Sequence, residues 1–232
     1  MTVDDLVSCL CITRNRVSLL RRAVSCFLGQ TYEQCELDVV YESKDTATRD
    51  YLRTLCDPRI RTIEVPSSAR LPLGALRTLS LEGARGRFVA QWDDDDWYAP
   101  TRLAEQMKSI RERGLAGCVL SRWTIHDATT QRSYISGKRT WEGSLVAERA
   151  AVPAYPPAKQ GEDTPVIDAM MKKKQLTLLE RPELYIYIFH GLNTWNRKHW
   201  LTLMKYAKRL GRQDEDRISR VLTISVPTSR AA

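Results

Sequence analysis

The sequence predicts an α/β protein, with a mostly parallel sheet carrying helices on both faces and a smaller mixed C-terminal portion. Three observations predict it. Strand-like apolar runs alternate with runs of helical period from Leu6 to Gly114. The strand-like runs at Leu6, Leu37 and Phe88 all end in polar or charged turns. Beyond Gln131 the alternation degrades.

Leu6–Thr13 (LVSCLCIT) reads as a buried strand and Arg14-Asn15-Arg16 as a polar turn. Ser18 is a suitable N-cap for a helix in which Leu19, Leu20, Ala23, Val24, Phe27 and Leu28 recur at helical spacing, closed by Gly29. A second strand covers Leu37–Tyr41 and ends in Glu42-Ser43-Lys44-Asp45. A helix over Thr46–Leu55 follows, broken by Asp57-Pro58, and then a third strand, Ile60–Val65. Gly74–Glu82 is helical, with Leu76 and Leu79 inward, and Phe88–Trp92 is a short buried strand. Leu103, Met107 and Ile110 mark a helix ending near Gly114, and Cys118–Ile125 reads as one further strand.

From Gln131 to Pro157, with Pro153, Pro156 and Pro157 close together, loops and short strands are expected. Gly161-Glu162-Asp163-Thr164 opens a helix to about Lys174. Here acidic residues suit the helix dipole, and simple capping accounts for both carboxylates. Gln175–Leu179 and Leu184–Phe189 read as strands. A last helix spans about Asn196–Leu210, with Trp200, Leu203, Met204, Ala207 and Leu210 on one side and Lys198, Lys205, Lys208 and Arg209 on the other. It reads as a surface helix packed on the domain or as a basic amphipathic surface for anionic lipid. Residues 213–232 read as a charged C-terminal tail, frayed after Pro227.

Composition narrows the function classes. At 232 residues, 43% hydrophobic and 28% charged, the chain is an ordinary globular mix rather than a disordered one. No apolar run approaches the roughly 20 residues of a membrane span. The acidic start, Met1-Thr2-Val3-Asp4-Asp5, lacks a signal-peptide n-region, so a cytoplasmic protein is expected. Cys9, Cys11, Cys26, Cys35, Cys56 and Cys118 show no zinc-ligand spacing and read as core thiols. A net charge of +8 suits an anionic partner, and its spread along the chain argues against nucleic acid.

The chemistry-bearing stretch is FVAQWDDDDWYAP, Phe88–Pro100. Four adjacent carboxylates repel one another, by roughly 1 kcal/mol for a pair about 4 Å apart in water and more in a cleft. A cation offsets that repulsion. On an extended segment alternate residues point the same way, so Asp93 and Asp95 can converge on one Mn²⁺ or Mg²⁺, which would neutralise a diphosphate. In a parallel sheet ligands bind outside the carboxyl ends of the strands. Arg14-Asn15-Arg16, Glu42–Asp45 and Asp93–Asp96 should therefore gather at one edge.

Read together, these segments resemble a family 2 glycosyltransferase of the GT-A fold, over roughly Leu6–Trp195. Leu10–Arg16 (LCITRNR) is similar to the opening strand and turn of the nucleotide site. Val39–Asp45 (VVYESKD) resembles the second strand, with Glu42 where aspartate is common. Leu73–Thr78 (LGALRT) resembles a helix whose arginine lies near the nucleotide, with Leu76-Arg77-Thr78 in place of Ala-Arg-Asn. Asp93-Asp94-Asp95 matches the DxD motif. Gly161-Glu162-Asp163 resembles the acidic pair carrying the catalytic base, and His190–Trp195 (HGLNTW) resembles a late segment of many members.

The resemblance implies inverting transfer of a sugar from a nucleotide-diphosphate sugar, UDP-linked by preference, to a hydroxyl of a glycan or lipid-linked glycan. A peripheral contact with an anionic membrane at its inner face would accompany it, and no nucleic acid is involved. It implies a single domain over 1–212, donor-binding over about 1–100 and acceptor-binding over about 101–212. Asp163 is the implied base, with Glu162 beside it. Thr13, Arg16, Glu42, Arg77, Asp93 and Asp94 are the implied donor contacts, and Asp95, Asp93 and His190 the ligands of Mn²⁺ or Mg²⁺. Trp97, Trp123, Trp141 and Trp195 are candidate sugar platforms. Two other readings remain. One is a nucleotidyltransferase, against which stands the glycine-free turn Arg14-Asn15-Arg16-Val17. The other is a non-catalytic anion-binding protein on the same fold.

Overall fold

The computed structural model describes residues 5–191, 193, 195 and 197–224. Its elements are β1 (Val7–Ile12), α1 (Val17–Leu28), β2 (Cys35–Glu42), α2 (Thr46–Arg53), β3 (Ile60–Val65), α3 (Leu73–Gly83), β4 (Phe88–Gln91), β5 (Trp97–Tyr98), α4 (Arg102–Arg113), β6 (Gly117–Leu120), β7 (Thr124–Asp127), β8 (Arg132–Ile135), β9 (Trp141–Glu148), α5 (Thr164–Lys172), β10 (Leu176–Leu179), β11 (Tyr185–Phe189), α6 (Arg197–Met204), β12 (Lys208–Arg209) and α7 (Arg212–Ile224).

A seven-stranded sheet runs in the order β10-β6-β9-β4-β1-β2-β3. Its strands pair in parallel except β9, which lies antiparallel between β4 and β6. The core divides between its two faces. Leu20, Val24, Phe27, Leu103 and Met107 of α1 and α4 belong to the cluster that holds Cys9, Leu37 and Ala90. Val166, Ile167 and Met170 of α5 belong to the one that holds Leu10, Val89 and Val119. A second, mixed sheet runs β12-β8-β7-β11-β5, and it is the smaller mixed portion expected from sequence. Cys9, Cys11, Cys26, Cys35 and Cys118 are buried free thiols, all pushed up by burial, while Cys56 is exposed.

Several elements differ from the sequence expectation. Val17, not a residue after Ser18, begins α1, and its N-cap is Arg16, whose guanidinium has no acceptor for the helix N–H groups and donates to Asp94 and Asp95 instead. The run Cys118–Ile125 is two strands in different sheets, β6 and β7. The stretch read as loops and short strands contains β8 and a longer strand than expected, the eight-residue β9, buried through Gly143–Ala147 inside the large sheet. Gly143 and Ser144 mask its strand pattern, and glycine suits the close approach of neighbouring side chains there. A Cβ there would lie 3.2 Å from Asp93 Oδ2 and 3.3 Å from both Trp123 Cη2 and Tyr185 Oη.

Helix α6 stops at Met204, since Lys208 and Arg209 pair with β8 as strand β12. Residues 212–224 are helix α7 rather than a tail. Ile218 and Leu222 give it an apolar stripe that packs with Ile186 and Ile188. The frayed end expected after Pro227 lies outside the described residues.

Candidate active site

The carboxyl ends of β1, β2 and β4 open onto one cleft of about 1060 Å³. From the first half of the chain Thr13, Arg16, Glu42, Arg77 and Asp93–Asp96 form one part of its wall, and from the second half Trp141, Glu142, Gly161, Glu162, Asp163, Trp195 and His199 form the other. The expected gathering of strand ends is thus observed, with one reassignment. Asp45 turns away to cap α2 through Thr48 N at 3.1 Å and to accept from Asn15 N at 2.6 Å.

The aspartate run is a turn, not an extended segment, so Asp93 and Asp95 do not share a direction. Instead the four carboxylates splay, Asp94 and Asp95 sharing Arg16 while Asp93 and Asp96 take separate partners, which relieves their repulsion. Asp93 Oδ1 accepts from Arg77 Nη2 at 2.8 Å. Asp94 Oδ1 accepts from Arg16 Nη2 at 2.6 Å, and Asp95 Oδ2 from Arg16 Nη1 at 2.9 Å, with His190 Nε2 at 3.2 Å. Asp96 is buried and accepts from Tyr185 Oη at 2.6 Å and from Ile188 N at 2.9 Å. That last pair ties the turn to β11, whose continuation delivers His190 to Asp95.

The electrostatics follow from these partners. Burial, then the Asp95 charge, pushes the Asp94 carboxyl up to about 7. For Asp95 burial also opposes ionisation, but the His190 hydrogen bond and Arg16 outweigh it and hold the carboxyl below its ordinary range. Burial and the Asp95 and Asp93 charges drive Asp96 far upward. Burial opposes the charge on Arg77, yet Asp93 and Glu162 overcome it and keep the guanidinium firmly protonated.

Arg77 is the bridge between the two parts of the wall. Besides Asp93, its Nε donates to Glu162 Oε1 at 2.6 Å. This explains the neighbouring carboxylates at the start of α5 better than capping does. Glu162 is committed to Arg77, and Asp163, though at the N-cap position, makes no side-chain cap bond. Helix α3 holds Arg77 there because Gly74 packs against the loop leading to α5, its N–H donating to Ala158 O at 3.0 Å.

Two residues stand out that sequence reasoning missed. Arg14 forms an ion pair with Glu42 at the end of β2. Glu142, on β9, accepts from Arg139 Nη2 at 2.5 Å and from Thr164 Oγ1 at 3.3 Å, and burial with the nearby Asp163 charge raises its carboxyl. Recognising β9 as a strand was the only signal that could have found Glu142.

Among the tryptophans, Trp97 lies outside the cleft, in β5 and packed on the core. Trp123 and Trp141 stack on each other at 4.3 Å, with Tyr185 4.5 Å from Trp123, and both indoles are buried, so neither offers an open face to a sugar. Trp195 stacks on His199 at 4.1 Å beside Gly161 and keeps 38% exposure at the cleft edge. Of the segment His190–Trp195, Leu192 and Thr194 lie outside the described residues.

A divalent cation finds suitable chemistry here. Thr13 Oγ1 and Asp94 Oδ2 are buried beside each other without a hydrogen bond of ordinary geometry. Asp95 and His190 present oxygen and imidazole donors. Among the described residues no cluster of three or more His, Cys, Asp or Glu stands ready to hold a metal. An ion of the Mg²⁺ kind takes one or two carboxylates and completes its shell with substrate phosphate and water, and Asp94 and Asp95 are carboxylates of that sort.

Comparison with known proteins agrees with this architecture. Residues 8–154 match the model of glycosyl transferase family 2. The chain belongs to that family. It is 32% identical over 160 residues to the putative colanic acid biosynthesis glycosyl transferase WcaA of Escherichia coli (strain K12), covering 67% of this chain and 50% of WcaA. It is 29% identical over 103 residues to the E. coli UDP-Glc:alpha-D-GlcNAc-diphosphoundecaprenol beta-1,3-glucosyltransferase WfaP, covering 44% of this chain and 40% of that protein.

Across the first curated relatives it matches, this family member spans 30% to 50% of their length. Staphylococcus aureus TarS 1–349 in complex with UDP-GlcNAc superposes with a TM-score of 0.64 at 14% identity, over 98% of this chain and 68% of that one. The mannosyltransferase PcManGT of Pyrobaculum calidifontis, in complex with GDP-Man and Mn²⁺, gives 0.59 at 16% identity, over 79% and 56%. Both likenesses bear on fold alone, and the fold is GT-A.

Proposed function

We propose that this family 2 chain is an inverting glycosyltransferase. It moves a sugar from a nucleotide-diphosphate sugar, UDP-linked by preference, to a hydroxyl of a glycan or lipid-linked glycan. The carrying observation is the cleft itself. Arginine-gripped aspartates and Asp163 line the same cleft, and the Asp163 carboxylate is not spent on capping α5. TarS with UDP-GlcNAc and PcManGT with GDP-Man and Mn²⁺ support a nucleotide-sugar donor on this fold. The division into a donor-binding part over about 1–100 and an acceptor-binding part over about 101–212 belongs to the same reading.

In the mechanism Thr13, Arg16, Glu42, Arg77, Asp93 and Asp94 hold the donor. Glu42, paired with Arg14, lies at the end of β2, where the base would sit. Arg16 and Arg77 now neutralise the aspartates, and either can turn a guanidinium to a phosphate. Asp95 and His190, with Asp93 nearby, would hold Mn²⁺ or Mg²⁺, which supplies Lewis-acid stabilisation of the departing diphosphate. Asp163 accepts the proton of the acceptor hydroxyl as that oxygen attacks the anomeric carbon opposite the diphosphate. Glu162 holds Arg77 in line between the two parts of the wall.

The test is nucleoside-diphosphate release across a panel of nucleotide sugars, with Mn²⁺, Mg²⁺ or chelator, followed by Asp163→Asn. General-base help is worth about 10²- to 10⁴-fold, so the variant should lose turnover on that scale with donor binding intact. Parent-like turnover in Asp163→Asn would remove the base assignment. Pyrophosphate as the product would convert the reading to a nucleotidyltransferase.

A further inference from the structure

The lip of the cleft is built by an unusual segment. From Arg197 to Arg212 the sequence holds no Asp or Glu and six Lys or Arg: Arg197, Lys198, Lys205, Lys208, Arg209 and Arg212. Of these, Arg209 pairs with Glu215 at 3.3 Å, whereas Arg197, Lys198, Lys205 and Lys208 form no ion pair among the described residues. Helix α6 buries Trp200 against Ile125 and Phe189, and Leu203 and His199 turn to the cleft. The opposite stripe, Arg197, Lys198, Leu201, Thr202 and then Lys205, is exposed. Leu201 is 57% and Tyr206 73% exposed, and with Trp195 they are three of the five large apolar side chains exposed among the described residues.

We propose that this lip is the surface on which the protein docks to an anionic membrane, and that the acceptor is therefore lipid-linked. The acceptor class rests on the glycosyltransferase reading above, whereas the docking does not. Unpaired cations alone would suit any polyanion. Leu201 set between Lys198 and Lys205, with Tyr206 beside them, suits a headgroup layer, which solvates cations and apolar side chains together. No helix among the described residues is long and apolar enough to cross a membrane. Because Trp195, His199 and Leu203 connect this surface to the cleft, docking would bring the acceptor-side wall to the bilayer.

The experiment is co-sedimentation of the full chain with vesicles of phosphatidylcholine alone and with vesicles that also contain phosphatidylglycerol. Binding is expected only to the second kind and should weaken with salt. Lys198→Gln with Lys205→Gln should lower partition about 25-fold, taking about fivefold for each cation near an anionic surface. Leu201→Ser with Tyr206→Ser should lower it as well, through the part that salt does not touch. Both double variants should keep the parent's melting temperature and acceptor-free donor hydrolysis. Equal binding to the two vesicle types, or parent-like partition of both variants, would overturn the proposal. So would retention on soluble dextran sulfate without vesicle binding, which would assign the patch to a polyanion. Vesicle binding in a chain that hydrolyses no donor would uphold the surface and overturn the acceptor class.

Discussion

Replacing Arg77 by methionine removes the cation that joins Asp93 to Glu162 in the cleft. The parent guanidinium reaches Glu162 at 2.6 Å and Asp93 at 2.8 Å. The Arg77 side chain is 9% exposed, that of Glu162 3%, and that of Asp93 27%. Asp93 can draw on water, so the main loss is at Glu162, a carboxylate left buried without its partner. Breaking a buried pair from one side costs about 3–5 kcal/mol. At about 2–4 °C per kcal/mol for a chain of this size, the melting temperature should fall by roughly 6–20 °C. The assay is urea unfolding followed by tryptophan fluorescence, for the parent, Arg77→Met, Glu162→Gln and the double variant. Since the double variant no longer buries an unpaired charge, it should be more stable than Arg77→Met, with a coupling of about 2 kcal/mol or more. An Arg77→Met protein within about 1 kcal/mol of the parent, or a double variant no better than the single, would refute this account of the bridge.

Other predictions concern packing, titration and ligand binding. In Gly74→Ala, the new Cβ would fall 1.8 Å from Pro156 O, so the loop before Glu162 must move. Stability should drop by about 1–3 kcal/mol by thermal unfolding, and turnover should fall with it. Asp38 is fully buried on β2, where burial and then the Glu36 charge push its carboxyl up to about 6 from an ordinary 3.8, against the pull of Arg61. Its raised affinity for a proton stabilises the fold below the ordinary value, and that contribution is lost as pH rises through about 6. Asp38→Asn, resembling the protonated form, should exceed the parent by up to about 3 kcal/mol near pH 8 and lose most of that margin near pH 4, as read by melts at the two pH values. Asp95→Asn should weaken Mn²⁺-dependent binding of nucleoside diphosphate by roughly tenfold or more in calorimetry, because even outer partners of a metal site are worth about that much. An unchanged affinity would take Asp95 out of the cation site.

The sequence by itself determined the alternation β1–α1–β2–α2–β3–α3–β4, the gathering of Thr13, Glu42 and Asp93–Asp96 at one sheet edge, and the buried thiols. Each of these follows from local period, or from the rule that parallel strands present their carboxyl ends together. Tertiary structure alone decided what those side chains do. Arg16 meets Asp95 across 79 residues and Arg77 meets Glu162 across 85. No local pattern encodes which arginine a given aspartate will find, and the same run that reads as an extended pair of ligands becomes a splayed turn once those partners arrive. The missed β9 has the same origin. Its place is set by pairing with β4 and β6 on either side, and Gly143 suits the close approach of Asp93, Trp123 and Tyr185, none of which neighbours it in the chain. Helix α7 likewise reads as charged tail until β11 supplies Ile186 and Ile188 for its apolar stripe. Periodicity reports which face of an element is apolar, and only the fold reports what that face and its charged edges will meet.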